Sequence, residues 1–179
     1  MLPSLHRRAV LAGLPIVALA PLSAARAQSL EAIDRLEAAV HEAWDKTPLT
    51  VRRAIFVKQK ALGYGIFEER PTRVFKPGES LLVYAEPVGF GFRRSEGGLY
   101  EFGFAIDFVI KTPTGTILGG EENFANVAQR SHVRNLEFML NLSLDMTGAP
   151  PDDYVLAYTL RDITGPKSAT LELPFTIGG

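Results

Sequence analysis

The densest group of potentially interactive side chains in this sequence lies between residues 88 and 108. Phe90, Phe92, Tyr100, Phe102, Phe104 and Phe108 fall there, six of the 17 aromatic residues in the chain. Arg93-Arg94 and Ser95-Glu96-Gly97-Gly98 separate the two aromatic groups. The spacing predicts a hairpin with Phe92 opposite Phe102 and Phe90 opposite Phe104, a pairing that stabilises sheets. A slip of one residue would send the rings to opposite faces. Two outcomes follow. Either the rings fill a core, or they line a surface for an apolar ligand, a glycan or a partner, bordered by Arg93 and Arg94. Glycines at 89, 91 and 103 leave room for something to approach the rings. Tyr84 and Glu86 share one face of the preceding strand and join the same candidate surface. The candidate binding set is therefore Tyr84, Glu86, Phe90, Phe92, Arg93, Arg94, Tyr100 and Phe102, and burial of the rings is what decides between the outcomes.

Other chemistry has weaker support. Without cysteine, the chain has no disulfide, thiolate metal site, attached c-type haem or thiol nucleophile. Outside residues 1–27 only His41 and His132 remain, too few for a His₃ zinc site. Glu121-Glu122-Asn123 and Asp152-Asp153 could offer oxygen ligands to calcium, but the spacing of a calcium loop is missing. No serine sits in a Gly-x-Ser-x-Gly context. Ser131 and His132 are adjacent, so in a strand they point to opposite faces. Glu68, Glu69, Glu86, Glu101 and Asp107 could converge for carboxylate chemistry, but no spacing singles out a pair. Gly63-x-Gly65 and Gly89-x-Gly91 lack the helix start that a phosphate cradle needs. The expectation is no catalytic residue, no cofactor and no metal.

Composition narrows the class further. The chain has 179 residues, is 46% hydrophobic and carries a net charge of −1. Such a chain can fold as one domain and has none of the basic field that nucleic-acid binding requires. Residues 1–27 read as an export signal: His6, Arg7 and Arg8, then an apolar stretch over 9–22, then Ala25-Arg26-Ala27 as a small-x-small cleavage site. That stretch is too short for a permanent membrane span, so no transmembrane anchor is expected after cleavage. Arg7-Arg8-Ala9-Val10-Leu11 resembles a twin-arginine signal. His6 and Val10 depart from that pattern, and the general secretory route fits as well. The expected location is periplasmic or secreted. Cleavage would remove three of the 19 basic residues, leaving 16 against 20 acidic ones and a net charge of −4.

These groups need elements to position them. Leu30, Ile33, Leu36, Val40 and Trp44 recur at helical spacing, so residues 28–47 should carry an amphipathic helix, with Ser29 as a cap and Pro48 as its stop. The stripe should pack on the domain that follows, or else serve a partner or self-association. From residue 48 to 179 the period changes to two. Strands are expected over 50–58, 62–68, 81–86, 99–111, 116–121, 133–146, 154–162 and 169–177, with a polar connection over 124–131. Glycines 63 and 65 weaken the second of these. About eight strands with Gly/Pro turns and no crossover helices imply an all-β antiparallel sandwich, with a closed barrel as the alternative.

A family resemblance enters at Phe75-Lys76-Pro77-Gly78-Glu79 followed by Leu82-Val83-Tyr84-Ala85-Glu86. This is similar to the opening of bacterial extracytoplasmic immunoglobulin-like modules. The stretch from Pro151 to Asp162 resembles their penultimate strand, and Pro174-Phe175-Thr176-Ile177 their last. The resemblance implies an immunoglobulin-like β-sandwich of about eight strands in the cell envelope, and no reaction. Tyr154 could be its corner tyrosine, with Tyr158 as rival. The functional expectation is an exported, non-catalytic module that binds an envelope protein through the aromatic hairpin. The alternatives are a periplasmic carrier of a small apolar ligand, or a carboxylate-based hydrolase.

Overall fold

Period-two segments joined by Gly/Pro turns form two sheets in this computed structural model, which describes residues 22–179, with side chains from Leu30 onward. The expected signal peptide lies outside the described residues as far as Pro21. Two units are present, Met1–Ala39 and Val40–Gly179. Helix α1 (Leu22–Lys46) begins in the first and ends in the second. It runs through Ser29, so that residue is not its cap. Leu30, Ile33, Leu36 and Val40 are exposed along it, and of the expected stripe only Trp44 is buried.

The strands of the second unit are β1 (Thr50–Phe56), β2 (Val74–Phe75), β3 (Leu81–Val88), β4 (Arg93–Arg94) and β5 (Tyr100–Lys111), followed by β6 (Ile117–Ser131), β7 (Leu140–Leu144), β8 (Asp152–Asp162) and β9 (Ser168–Ile177). One sheet has the order β1-β3-β7. The other has the order β2-β9-β8-β5-β4, with β6 along the opposite side of β5. All pairs are antiparallel except β2 with β9. The chain is mostly β, as its sequence indicates.

Both sheets feed one buried cluster. Val83 and Leu142 come from the first sheet, and Phe104, Ile106, Leu156 and Leu173 from the second. Alternation explains the division: Leu156, Tyr158 and Leu160 of β8 are fully buried, while Val155 and Thr159 on its other face are only partly covered. Trp44 closes the end of α1 onto this cluster. Its ring meets Phe90 edge-on at 5.1 Å, and its indole N–H donates to the Phe90 carbonyl at 2.8 Å. The Lys167 ammonium donates to the carbonyls of Thr47 at 2.9 Å and Gly89 at 2.7 Å, and reaches that of Asp45 at 3.3 Å. A cation at a helix C-terminus satisfies carbonyls that the helix leaves open.

Three strand expectations need correction. Residues 62–68 form a turn rather than a strand, with Gly65 at φ 70°. Residues 133–139 stay outside β7, since Arg134 turns to pair with Asp45 and the Phe138 N–H bonds locally to the Leu136 carbonyl. Residues 116–131, read as a short strand and a polar connection, hold the single long strand β6. Its polarity reflects exposure: Phe124, Ala125 and Val127 pack on the core while Asn126 and Ala128 face outward.

Candidate functional site

The aromatic hairpin forms with the expected register. Arg93 pairs with Glu101 and Arg94 with Tyr100. Continuing that ladder sets Phe92 against Phe102, with ring centroids 5.2 Å apart, and Phe90 toward Phe104, at 5.7 Å. The rings do not form a surface. Phe90, Phe102 and Phe104 are buried, and Phe92 and Tyr100 are partly buried. Phe90 lies among Trp44, Phe92, Phe102, Phe104 and Phe138, all with centroids within 6 Å. The physical reason is that the hairpin's apolar face closes the end of the core, where each ring finds edge or face partners among the others. The close approach that glycines 89, 91 and 103 permit is made by the chain itself. A Cβ at Gly89 would stand 2.6 Å from the Pro48 carbonyl oxygen, one at Gly91 2.3 Å from the Thr164 hydroxyl, and one at Gly103 2.0 Å from the Val127 carbonyl oxygen.

Arg93 and Arg94 remain exposed. The Arg93 guanidinium bonds Glu101 at 2.6 Å, and Arg94 stacks 4.6 Å above the Tyr100 ring while donating to its hydroxyl. Glu101 also accepts from Arg130, and the two guanidinium groups hold its carboxyl below the usual range.

Tyr84 and Glu86 do share a face, as expected, but that face is covered. Tyr84 is fully buried and Glu86 is 5% exposed. The cover is the excursion between β1 and β2. Its base is closed by the Lys58 N–H donating to the Glu68 carbonyl and the Arg70 N–H donating to that of Phe56, both at 2.9 Å. An ion pair between Lys58 and Glu68 braces it. Farther out, the Asn141 side chain of β7 binds both backbone groups of Ala61, accepting at 2.8 Å and donating at 2.9 Å. At the far end a tight turn bonds the Leu62 N–H to the Ile66 carbonyl and the Ile66 N–H to the Gly63 carbonyl, each at 3.0 Å.

A buried chain of polar groups pins this turn. The Gly65 N–H donates to the Tyr84 hydroxyl at 2.8 Å. The Tyr84 hydroxyl donates in turn to Glu86 Oε1 at 2.7 Å. Arg53 lies 3.6 Å from the same carboxylate oxygen and 5.4 Å above the Phe67 ring, and Phe67 packs on Tyr84 at 4.5 Å. Burial, with the Glu86 carboxylate adding to it, pushes the Tyr84 phenol up to about 12. Tyr84 is therefore a neutral donor at any ordinary pH, suited to anchoring rather than to nucleophilic attack.

The anchored turn presents apolar side chains outward. Leu62 is 83% exposed and Ile66 60% exposed. Arg52 donates to the hydroxyl of Tyr64 between them at 3.2 Å. The sequence reading missed these two residues because it assigned 62–68 to a strand, where alternate residues would be covered. The signal was present in the flanking glycines of Leu62-Gly63-Tyr64-Gly65-Ile66.

Of the other carboxylates raised by the sequence, Glu68 and Asp107 hold cations. Asp107 accepts two bonds from Arg161, at 2.9 and 2.8 Å, and one from the Asn123 N–H at 2.7 Å, which depress its acidity range. Among the described residues no three His, Asp or Glu side chains are grouped to hold a metal ion. A groove of about 660 Å³ runs past Arg70, Val74, Phe75, Lys76, Pro77 and Glu79. Its wall is a built structure, with Arg70 stacked 4.1 Å over Phe75 and bonded to Glu79 at 2.7 Å. No protein-family model matches this sequence, and comparison with curated proteins finds no match.

Proposed function

We propose that this protein is an exported, non-catalytic interaction module of the bacterial cell envelope whose working surface is the 62–66 turn, not the aromatic hairpin. The observation that carries this reading is the contrast at the turn. Two aliphatic side chains are held out in solvent on a backbone whose Gly65 amide is tied to a fully buried tyrosine. Single exposed apolar residues are common and need no explanation. A buried hydrogen-bonded anchor beneath them is a different matter. It fixes the turn before any contact and so lowers the ordering cost of binding. The partner is an envelope protein offering an apolar recess to Leu62 and Ile66.

The reading of an immunoglobulin-like β-sandwich belongs with this proposal. The order β1-β3-β7 beside β2-β9-β8-β5-β6 supports it, as does the parallel pairing of β2 with β9. So does Tyr154, whose hydroxyl donates to the Pro150 carbonyl at 2.8 Å in the manner of a corner tyrosine. Its rival Tyr158 has a buried hydroxyl with no hydrogen-bond partner among the described residues. Residues 1–27 support export, by the twin-arginine or the general secretory route. The exposed apolar residues of α1 support self-association as a further contact.

Photo-crosslinking tests the proposal. A photoreactive residue at Leu62 in the native envelope should give a discrete protein adduct, and the same residue at exposed Glu172 should not. Equal labelling from both positions, or none from Leu62, sinks the reading.

A further inference from the structure

The second sheet ends in an open edge. Strand β6 pairs with β5 along its length and with no other strand among the described residues. At 15 residues it is the longest strand among the described residues, and it contains neither proline nor lysine. Natural sheets usually blunt such edges, because the unpaired N–H and C=O groups template further pairing. Here the edge carries charged side chains and two breaks in its register with β5, at residue 118 and at residues 122–124. Asp107 lies opposite a bulge at residues 122–124, where Asn123 takes φ 56° and Arg161 bonds both Asp107 and the Asn123 side chain. This bulge is the second break in the edge. It leaves residues 125–131 in unbroken register with β5, from Ala125 against Ile106 to Ser131 against Tyr100.

The charges along this edge are polarised. Beside the bulge, Glu121 and Glu122 take part in no ion pair among the described residues. At the other end Arg130 of β6 and Arg93 of β4 share the one carboxylate of Glu101, and Arg94 donates to the Tyr100 hydroxyl. Glu121 is opposite Phe108 and Arg130 opposite Glu101, so roughly 24 Å of β5 separate the two ends at a strand's rise per residue. That is beyond the reach of screened attraction within one molecule, where the Debye length is about 8–10 Å. The two ends can neutralise each other only if a second edge runs alongside in the opposite direction.

We infer that two copies of this chain pair antiparallel through β6, about a two-fold axis close to Val127. Asn126 then lies opposite Ala128 of the second copy. Arg130 of each copy reaches the bulge of the other, next to Glu121 and Glu122. Backbone hydrogen bonds supply the affinity, and the polarised ends select the antiparallel register. The sheet becomes continuous across the pair, and the contact is isologous. This contact is separate from the 62–66 turn and stands or falls without it.

The absence of cysteine makes the register measurable. Asn126→Cys and Ala128→Cys, both outward-facing, are prepared separately and mixed under mild oxidation. The expected product is the mixed disulfide between position 126 of one copy and 128 of the other, because directly opposed strand residues lie within disulfide range. The two like-with-like products should be minor. Light scattering across a concentration series should show a dimer. The double variant Glu121→Arg/Glu122→Arg should weaken that dimer by about tenfold or more in Kd, and adding Arg130→Glu should recover most of the loss. Circular dichroism of each variant confirms that the fold is retained. A monomer at all concentrations overturns the inference. So does a dimer indifferent to the β6 charges, which would assign self-association to another surface such as α1. A random mixture of disulfides would overturn the register.

Discussion

The hairpin over residues 88–108 and the turn over 62–66 show opposite relations between composition and exposure. The hairpin carries six aromatic residues, and its central rings are buried. The turn carries two aliphatic residues and one tyrosine, and its aliphatics are the side chains left in water. Density of apolar residues therefore marks the core. What marks a candidate working surface is an apolar residue placed where the backbone has been fixed by something else. In the hairpin the rings hold each other. In the turn the anchor comes from below, through Tyr84, Glu86 and Asn141.

The comparison breaks most visibly at Phe90. Phe90→Ala removes the ring at the centre of the aromatic cluster and should cost about 3–5 kcal/mol in denaturant unfolding. A loss under about 1 kcal/mol would mean that the hairpin does not close the core. Tyr84→Phe is the next largest. It deprives the Gly65 amide of its acceptor and Glu86 of its donor, at a cost of about 1–3 kcal/mol. Hydrogen exchange should show the Gly65 amide losing protection while β8 amides keep theirs. Unchanged exchange at Gly65 would remove the anchor from the account.

Alkaline pH applies a smaller perturbation to the same group. The folded state raises the Tyr84 phenol from its usual 10 to about 12. Its contribution is complete below pH 10 and is lost as pH rises through about 12, because only the unfolded chain gives up the proton early. Stability should fall across that window, and by less in Tyr84→Phe. At acid pH the depressed Glu101 and Asp107 act in the other direction, so stability should decline as pH falls below the ordinary carboxylate range. The smallest stability effect belongs to the turn. Leu62→Asp should leave the unfolding free energy within about 0.5 kcal/mol.

The sequence made the strands legible where alternation was strong. Phe102, Phe104, Ile106 and Ile110 announced β5, and Leu171, Leu173 and Phe175 announced β9. The hairpin register was legible because paired aromatics have one favourable alignment. Strand β6 was legible only over 116–121; the rest was not, because an edge strand exposed on most of its surface carries too few apolar residues to show a period. The turn was legible only in part: Gly63 and Gly65 spoke against a strand, but Leu62 and Ile66 look like strand residues, and the long-range bonds from Tyr84 and Asn141 decide the matter. Tyr84 and Glu86 were singled out correctly as neighbours on one face, but their cover comes from residues 57–70, whose path no local pattern specifies. Between the two tyrosines of β8, only the reach of Tyr154 back to Pro150 distinguishes them.

The central claim is that Leu62 and Ile66 act at a surface while the aromatic hairpin acts in the core. Leu62→Asp combined with Ile66→Asp tests it most directly, read by unfolding and by crosslinking from a photoreactive residue at Tyr64 in the same preparation. The account predicts wild-type stability with the adduct abolished. Wild-type stability with the adduct intact would contradict it.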